Sequence, residues 1–110
     1  MTRIITISFL IIGFAYSTPL LAQDNAVQRG KEVFVYWCET CHGEGPGNPG
    51  TAALQALYGG QKPALLERRN DLFPQITRSF VRSGVSIMPF FRKTEISDAD
   101  LNALTTYLAP

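Results

Sequence analysis

Histidine and tryptophan each occur once in these 110 residues, and cysteine and methionine only twice. That scarcity excludes several chemistries at once. A closed structural zinc site takes about four protein ligands, and Cys38, Cys41 and His42 supply three, so the fourth would have to be a carboxylate or come from another chain. Charge is sparse as well, at 17% of residues and nearly balanced with ten basic against nine acidic side chains, and no nucleic-acid partner is implied. No segment alternates apolar and polar residues as a half-buried strand would, and no repeat of useful period is present. Length and middling hydrophobicity point to one globular domain.

The one long apolar run is at the start. Arg3 precedes Ile4, Ile5, Ile7, Phe9, Leu10, Ile11, Ile12 and Phe14, and Ser17, Thr18 and Pro19 follow. This is the layout of a secretory signal peptide over residues 1–22, with cleavage after Ala22 and Gln23 as the mature start. Thr6, Ser8 and Gly13 interrupt the run, which falls short of the roughly 20 apolar residues of a membrane span. Leu20 stands where a small residue is usual, so an uncleaved anchor is the alternative. Cleavage removes Arg3 and no acidic residue, leaving nine basic against nine acidic residues in the mature chain, 23–110. The expected location is the periplasm, with no membrane span in the mature form.

Across the mature chain the periodicity is helical. Val27, Gly30, Phe34 and Trp37 or Cys38 recur at helical spacing from Asn25 to about Tyr36, with Asn25 and Gln28 as a capping pair. Gly43, Gly45, Pro46, Gly47, Pro49 and Gly50 then form a dense loop. A short helix over Ala52 to Leu57 closes on Gly59 and Gly60, and another starts at Pro63 and runs through Leu66 to Arg69. Pro74 to Ser83 forms a further helix ended by an αL residue at Gly84, and a loop follows from Val85 to Thr94. Ser97 and Asp100 cap a last helix with Leu101, Leu104 and Leu108 on one face. The fold class is all-α, about four to five helices with long loops.

Within that frame Cys38-Glu39-Thr40-Cys41-His42 is the haem-attachment pattern. Two cysteines three apart at a helix end lie on one side, so both sulfurs reach the vinyl groups of one porphyrin while the next side chain, His42, faces the iron. In an exported chain two cysteines would otherwise suggest a disulfide. A thiol oxidoreductase would present CxxC at a helix N-terminus in a βαβ setting, and here the cysteines follow a helix.

Met88 is the only methionine left in the mature chain, in a loop and directly before the stiffening Pro89. A lone methionine is commonly core filler, but downstream of a haem motif it is the expected second axial ligand. A His42/Met88 pair leaves no open position on the iron and raises its reduction potential. The expected activity is one-electron transfer by one covalently attached haem c, with no catalysis by this chain on its own.

With Gly30 and Phe34 ahead of Cys38, and Leu104 and Tyr107 in the last helix, the mature chain resembles the class I cytochromes c. The resemblance implies that the glycine lets the first and last helices cross closely. It also implies a proline carbonyl accepting a hydrogen bond from the second nitrogen of the ligand histidine. Pro49 best matches that position, with Pro46 as competitor. The run from Val85 to Phe91, with Arg92-Lys93-Thr94-Glu95-Ile96-Ser97, is further similar to the cytochrome subunits of the p-cresol methylhydroxylase and eugenol hydroxylase group.

That narrower likeness implies a flavoprotein dehydrogenase as partner, oxidising 4-alkylphenols, and a downstream electron acceptor. Phe90 and Phe91 are then either a docking patch or the wall that shields the iron. Arg78, Arg82, Trp37 and Tyr58 are the donors of suitable type for haem propionates. A free periplasmic carrier is the alternative function, and a haem catalyst or gas sensor with a labile Met88 is a third.

Overall fold

A computed structural model describes the backbone of residues 19–109 and the side chains of residues 22–109. Most of the expected leader, residues 1–18, lies outside the described residues. Five α-helices and one 3-10 turn follow one another: α1 (Pro19–Trp37), α2 (Glu39–His42), α3 (Pro49–Tyr58), the turn Leu66–Arg68, α4 (Pro74–Ser83) and α5 (Asp98–Leu108). Among the described residues there is no strand, and none of these helices is long and apolar enough to cross a membrane. The all-α expectation holds.

Helix α1 is longer than its capping signal suggests. Asn25 lies inside the helix, because Leu20, Leu21, Ala22 and Gln23 are good helix formers and nothing at residue 25 interrupts them. Pro63, conversely, starts no helix. Only Leu66–Arg68 coils, as a 3-10 turn, and the extended Leu65 before it is stabilised by no side-chain cap. Helix α5 begins as expected, with Ser97 Oγ accepting from the Asp100 backbone N–H at 3.0 Å. The Asp100 carboxylate, however, takes Arg29 Nε at 2.8 Å rather than returning to the cap.

The core is where α1, α4 and α5 meet. Val33, Phe34, Leu72, Val81, Ile96, Leu101, Leu104 and Leu108 are buried in one cluster, and Trp37, Cys38, Met88, Phe91 and Tyr107 pack against it. Burying a side chain such as Phe34 stabilises by about 1.5–3 kcal/mol. The Arg29 pairs with Glu32 and Asp100 lie at the surface, where solvent screening leaves such pairs little net effect. Apolar packing therefore governs the α1/α5 contact.

That contact depends on Gly30. A Cβ there would stand 2.6 Å from Tyr107 Cβ and 2.7 Å from the Ala103 carbonyl carbon, and closer still to the Ala103 carbonyl oxygen. One turn on, the Phe34 and Tyr107 rings pack with centroids 5.8 Å apart.

Alanine in place of Gly30 gains about 1 kcal/mol of helix propensity, yet inserting a methyl group into a packed contact costs about 1–3 kcal/mol or more. The obstacle is backbone and cannot rotate away. Gly30→Ala should therefore lower the unfolding free energy by about 2 kcal/mol, read as a lower denaturant midpoint at unchanged slope.

Candidate haem site

The five motif residues occupy the corner between α1 and α2. The Cys38 N–H donates to the Phe34 carbonyl at 2.8 Å, continuing α1, and the His42 N–H donates to the Cys38 carbonyl at 2.8 Å. One turn of helix thus carries both cysteines and the histidine, as their spacing predicts. Cys38 is half-buried, Cys41 exposed, and both are free thiols.

Burial, with the neighbouring Cys41 second, pushes the Cys38 thiol up to about 12. A thiol so protonated is a poor nucleophile, which counts against thiol–disulfide exchange. Burial likewise lowers the His42 pKa, favouring the neutral imidazole that can ligate a metal. Its Nδ1 is buried without a hydrogen-bond partner.

The expected Pro49 contact is therefore not made. Pro49 is the first residue of α3, so its carbonyl points along the helix axis toward the Ala53 N–H. Gly50, the next residue, lies close against the His42 ring.

Met88 lies against the same apolar cluster as Cys38. A tight turn carries it: the Val85 N–H donates to the Met88 carbonyl at 3.1 Å and the Met88 N–H to the Val85 carbonyl at 2.9 Å. Ser86, at φ 52°, takes a left-handed conformation that turns of this shape usually give to glycine. The turn is tied to the end of α4 by the Phe91 N–H donating to the Val81 carbonyl at 2.8 Å and Arg82 Nη1 donating to the Phe91 carbonyl at 3.0 Å. Arg82 also reaches Asp98 at 2.9 Å, so one guanidinium joins α4, the Met88 loop and α5.

Residues 25–108 match the family model of the cbb3-type cytochrome c oxidase subunit III. The chain belongs to this family. No curated protein and no solved structure matches it. The domain is a class I c-type cytochrome domain, and haem c with its iron is the cofactor that the family implies.

The residues present fit that group. Two free thiols and a neutral imidazole share one helical turn, and the apolar side chains Phe73, at the N-cap of α4, and Ile76 and Phe80, within it, recur at helical spacing and stay partly exposed among the described residues. A planar apolar cofactor is the kind of group that would cover such a stripe.

Of the side chains considered for propionates, the two arginines donate to protein acceptors, whereas the contacts of Tyr58 and Trp37 leave the O–H and N–H donors unused among the described residues. Arg78 donates to Asn102 and, at 3.4 Å, to Thr105. Arg82 makes the ties just described, and Tyr58 accepts from Arg69 Nη1 at 2.6 Å. Trp37 packs edge-on against Phe91, with ring centroids 5.8 Å apart.

From sequence alone Arg82 is a candidate propionate donor and Gly84 a helix terminator, and the structure gives each a further role at the Met88 turn. Gly84 has φ 69° and ψ 168°, not αL but a region open almost only to glycine. A Cβ on it would stand 2.8 Å from the Met88 carbonyl oxygen. Gly84→Ala combines backbone strain with displacement of the Met88 turn. It should cost at least about 1–3 kcal/mol of stability, measured by chemical denaturation of the haem-loaded protein.

Proposed function

We propose that this chain is the haem subunit of a periplasmic flavocytochrome, accepting electrons from a flavin-dependent dehydrogenase of 4-alkylphenols and passing them to a further carrier. Cys38 and Cys41 would hold the haem through thioethers, and His42 and Met88 would bind its iron. The bound group supplies a one-electron iron couple. The chain's own contribution is to keep the imidazole neutral and to present a thioether.

The observation that carries the reading is the anchoring of the Met88 turn. Met88 and Cys38 abut one core cluster, and Arg82 and Val81 fasten the loop from which the thioether projects. A thioether so fastened favours electron transfer over a role in which methionine would leave to admit a gas. This chain is then an electron-transfer subunit with no catalysis of its own.

Exposure separates the two phenylalanines. Phe91 packs on Trp37 and the core, whereas Phe90 is 59% and Ile87 77% exposed. Phe91 is thus part of the wall. Ile87 and Phe90, flanking Met88 and Pro89, are the apolar surface available for a flavoprotein.

Met88→Ala should retain the covalent haem but lose the weak sulfur-to-iron absorption at the red end of the oxidised spectrum and lower the reduction potential. An unchanged band and potential would remove Met88 from the iron.

Purification of the native protein tests the partner and the leader together. Expected is a haem chain beginning at Gln23 that co-elutes with a flavoprotein and releases it in Phe90→Ser. Elution as a lone haem monomer would instead support the free carrier, and a retained Met1 would overturn cleavage.

A further inference from the structure

The His42 segment is bounded by more than its own short helix, because the first turn of α3 lies across it. A Cβ built on Gly50 would stand 2.8 Å from the Cys41 carbonyl oxygen, 2.9 Å from His42 Cε1 and 3.0 Å from His42 Nδ1. Gly50 is not among the residues of positive φ, and its backbone is helical. What glycine provides here is space. The next residue, Thr51, is only 8% exposed, and its Oγ1 donates to the Gly43 carbonyl at 2.8 Å. The intervening loop is braced by Asn48, whose Nδ2 donates to the carbonyls of Glu44 and Gly45 at 3.0 and 3.2 Å. The residue after the histidine is therefore fixed from one side and the imidazole is in contact with the other.

We propose that Gly50 and Thr51 are positioning residues for the His42 imidazole, Gly50 setting the rotation of the ring by contact and Thr51 fixing the backbone that carries it. The proposal rests on the haem reading above. Ligand histidines generally have their ring orientation set by a hydrogen bond from the second nitrogen. Among the described residues Nδ1 has no such partner, and the close approach of α3 limits the ring on that edge. A methyl group on Gly50 would meet the ring edge and the Cys41 carbonyl together, so the ring must turn or α3 must retreat.

The test uses the haem-loaded full chain and three readouts: thioether haem content, low-spin electron paramagnetic resonance and reduction potential. Gly50→Ala should keep the haem attached while shifting both the g-values and the potential. Thr51→Val should shift them in the same sense, and Thr51→Ser, which keeps the hydroxyl, should restore the parent values. Gly47→Ala is the control for loop damage, since Gly47 has φ +101° with nothing within 4 Å of its Cβ position. It should lower stability and leave the g-values alone.

Parent g-values and potential in both Gly50→Ala and Thr51→Val would overturn the proposal. Should Gly50→Ala fail to accumulate, the Thr51 pair decides, and identical spectra for Val and Ser would overturn it. A parent protein without thioether haem is a separate result, which would overturn the cofactor reading itself.

Discussion

The close approach of α1 and α5 at Gly30 is the constraint from which the rest of the molecule is arranged. With no side chain at that position the two helices meet backbone to backbone, and Phe34 one turn later can pack on Tyr107. Phe34 is also the residue whose carbonyl receives the Cys38 N–H. The direction in which the cysteine motif leaves α1 is thus inherited from the crossing. A shift at Gly30 would be felt at Cys38 through two turns of rigid helix and at the cluster that Leu101, Leu104 and Met88 share.

The second half of the site is set by α4 and the start of α5. Val81 is buried in the common cluster and its carbonyl receives the Phe91 N–H, while Arg82 on the next position clasps the Phe91 carbonyl and Asp98. Arg82 and Asp98 gain little as an isolated surface pair, but as a clamp they restrict where the Met88 turn can lie. Lys93 joins the same carboxylate at 2.7 Å. These hydrogen bonds hold Asp98 below the usual carboxylate range, so whatever stability they confer is present above that range and is lost on acidification through the depressed value.

Several local signals held, though the cap at Asn25, the helix start at Pro63 and the αL ending at Gly84 did not. The spacing of Cys38, Cys41 and His42 placed them on one turn, Ser97 marked the start of α5, and Gly59, at φ 53°, ends α3 in the left-handed form. Gly30 was also legible, because the resemblance paired it with Phe34 and Tyr107. What could not be read was three-dimensional: that Gly50 faces the imidazole where Pro49 was expected, that Arg82 ties three segments together, and that Phe90 and Phe91 point to different environments. Adjacent residues in an irregular loop share no periodicity that would reveal which is buried. The Val85–Met88 turn carries no glycine, so its left-handed Ser86 gave no signal either.

The unpartnered Nδ1 of His42 makes these two kinds of information converge. Among the described residues that nitrogen has no hydrogen-bond partner, and the close-fitting glycine beside it limits the ring by shape. Shape is the less forgiving device. A hydrogen bond tolerates small rotations of the ring, whereas a contact at the van der Waals limit rises steeply in energy with any rotation toward it. An imidazole seated in that way is held against turning toward α3, and Thr51, by fixing the Gly43 backbone, restrains the segment that carries it.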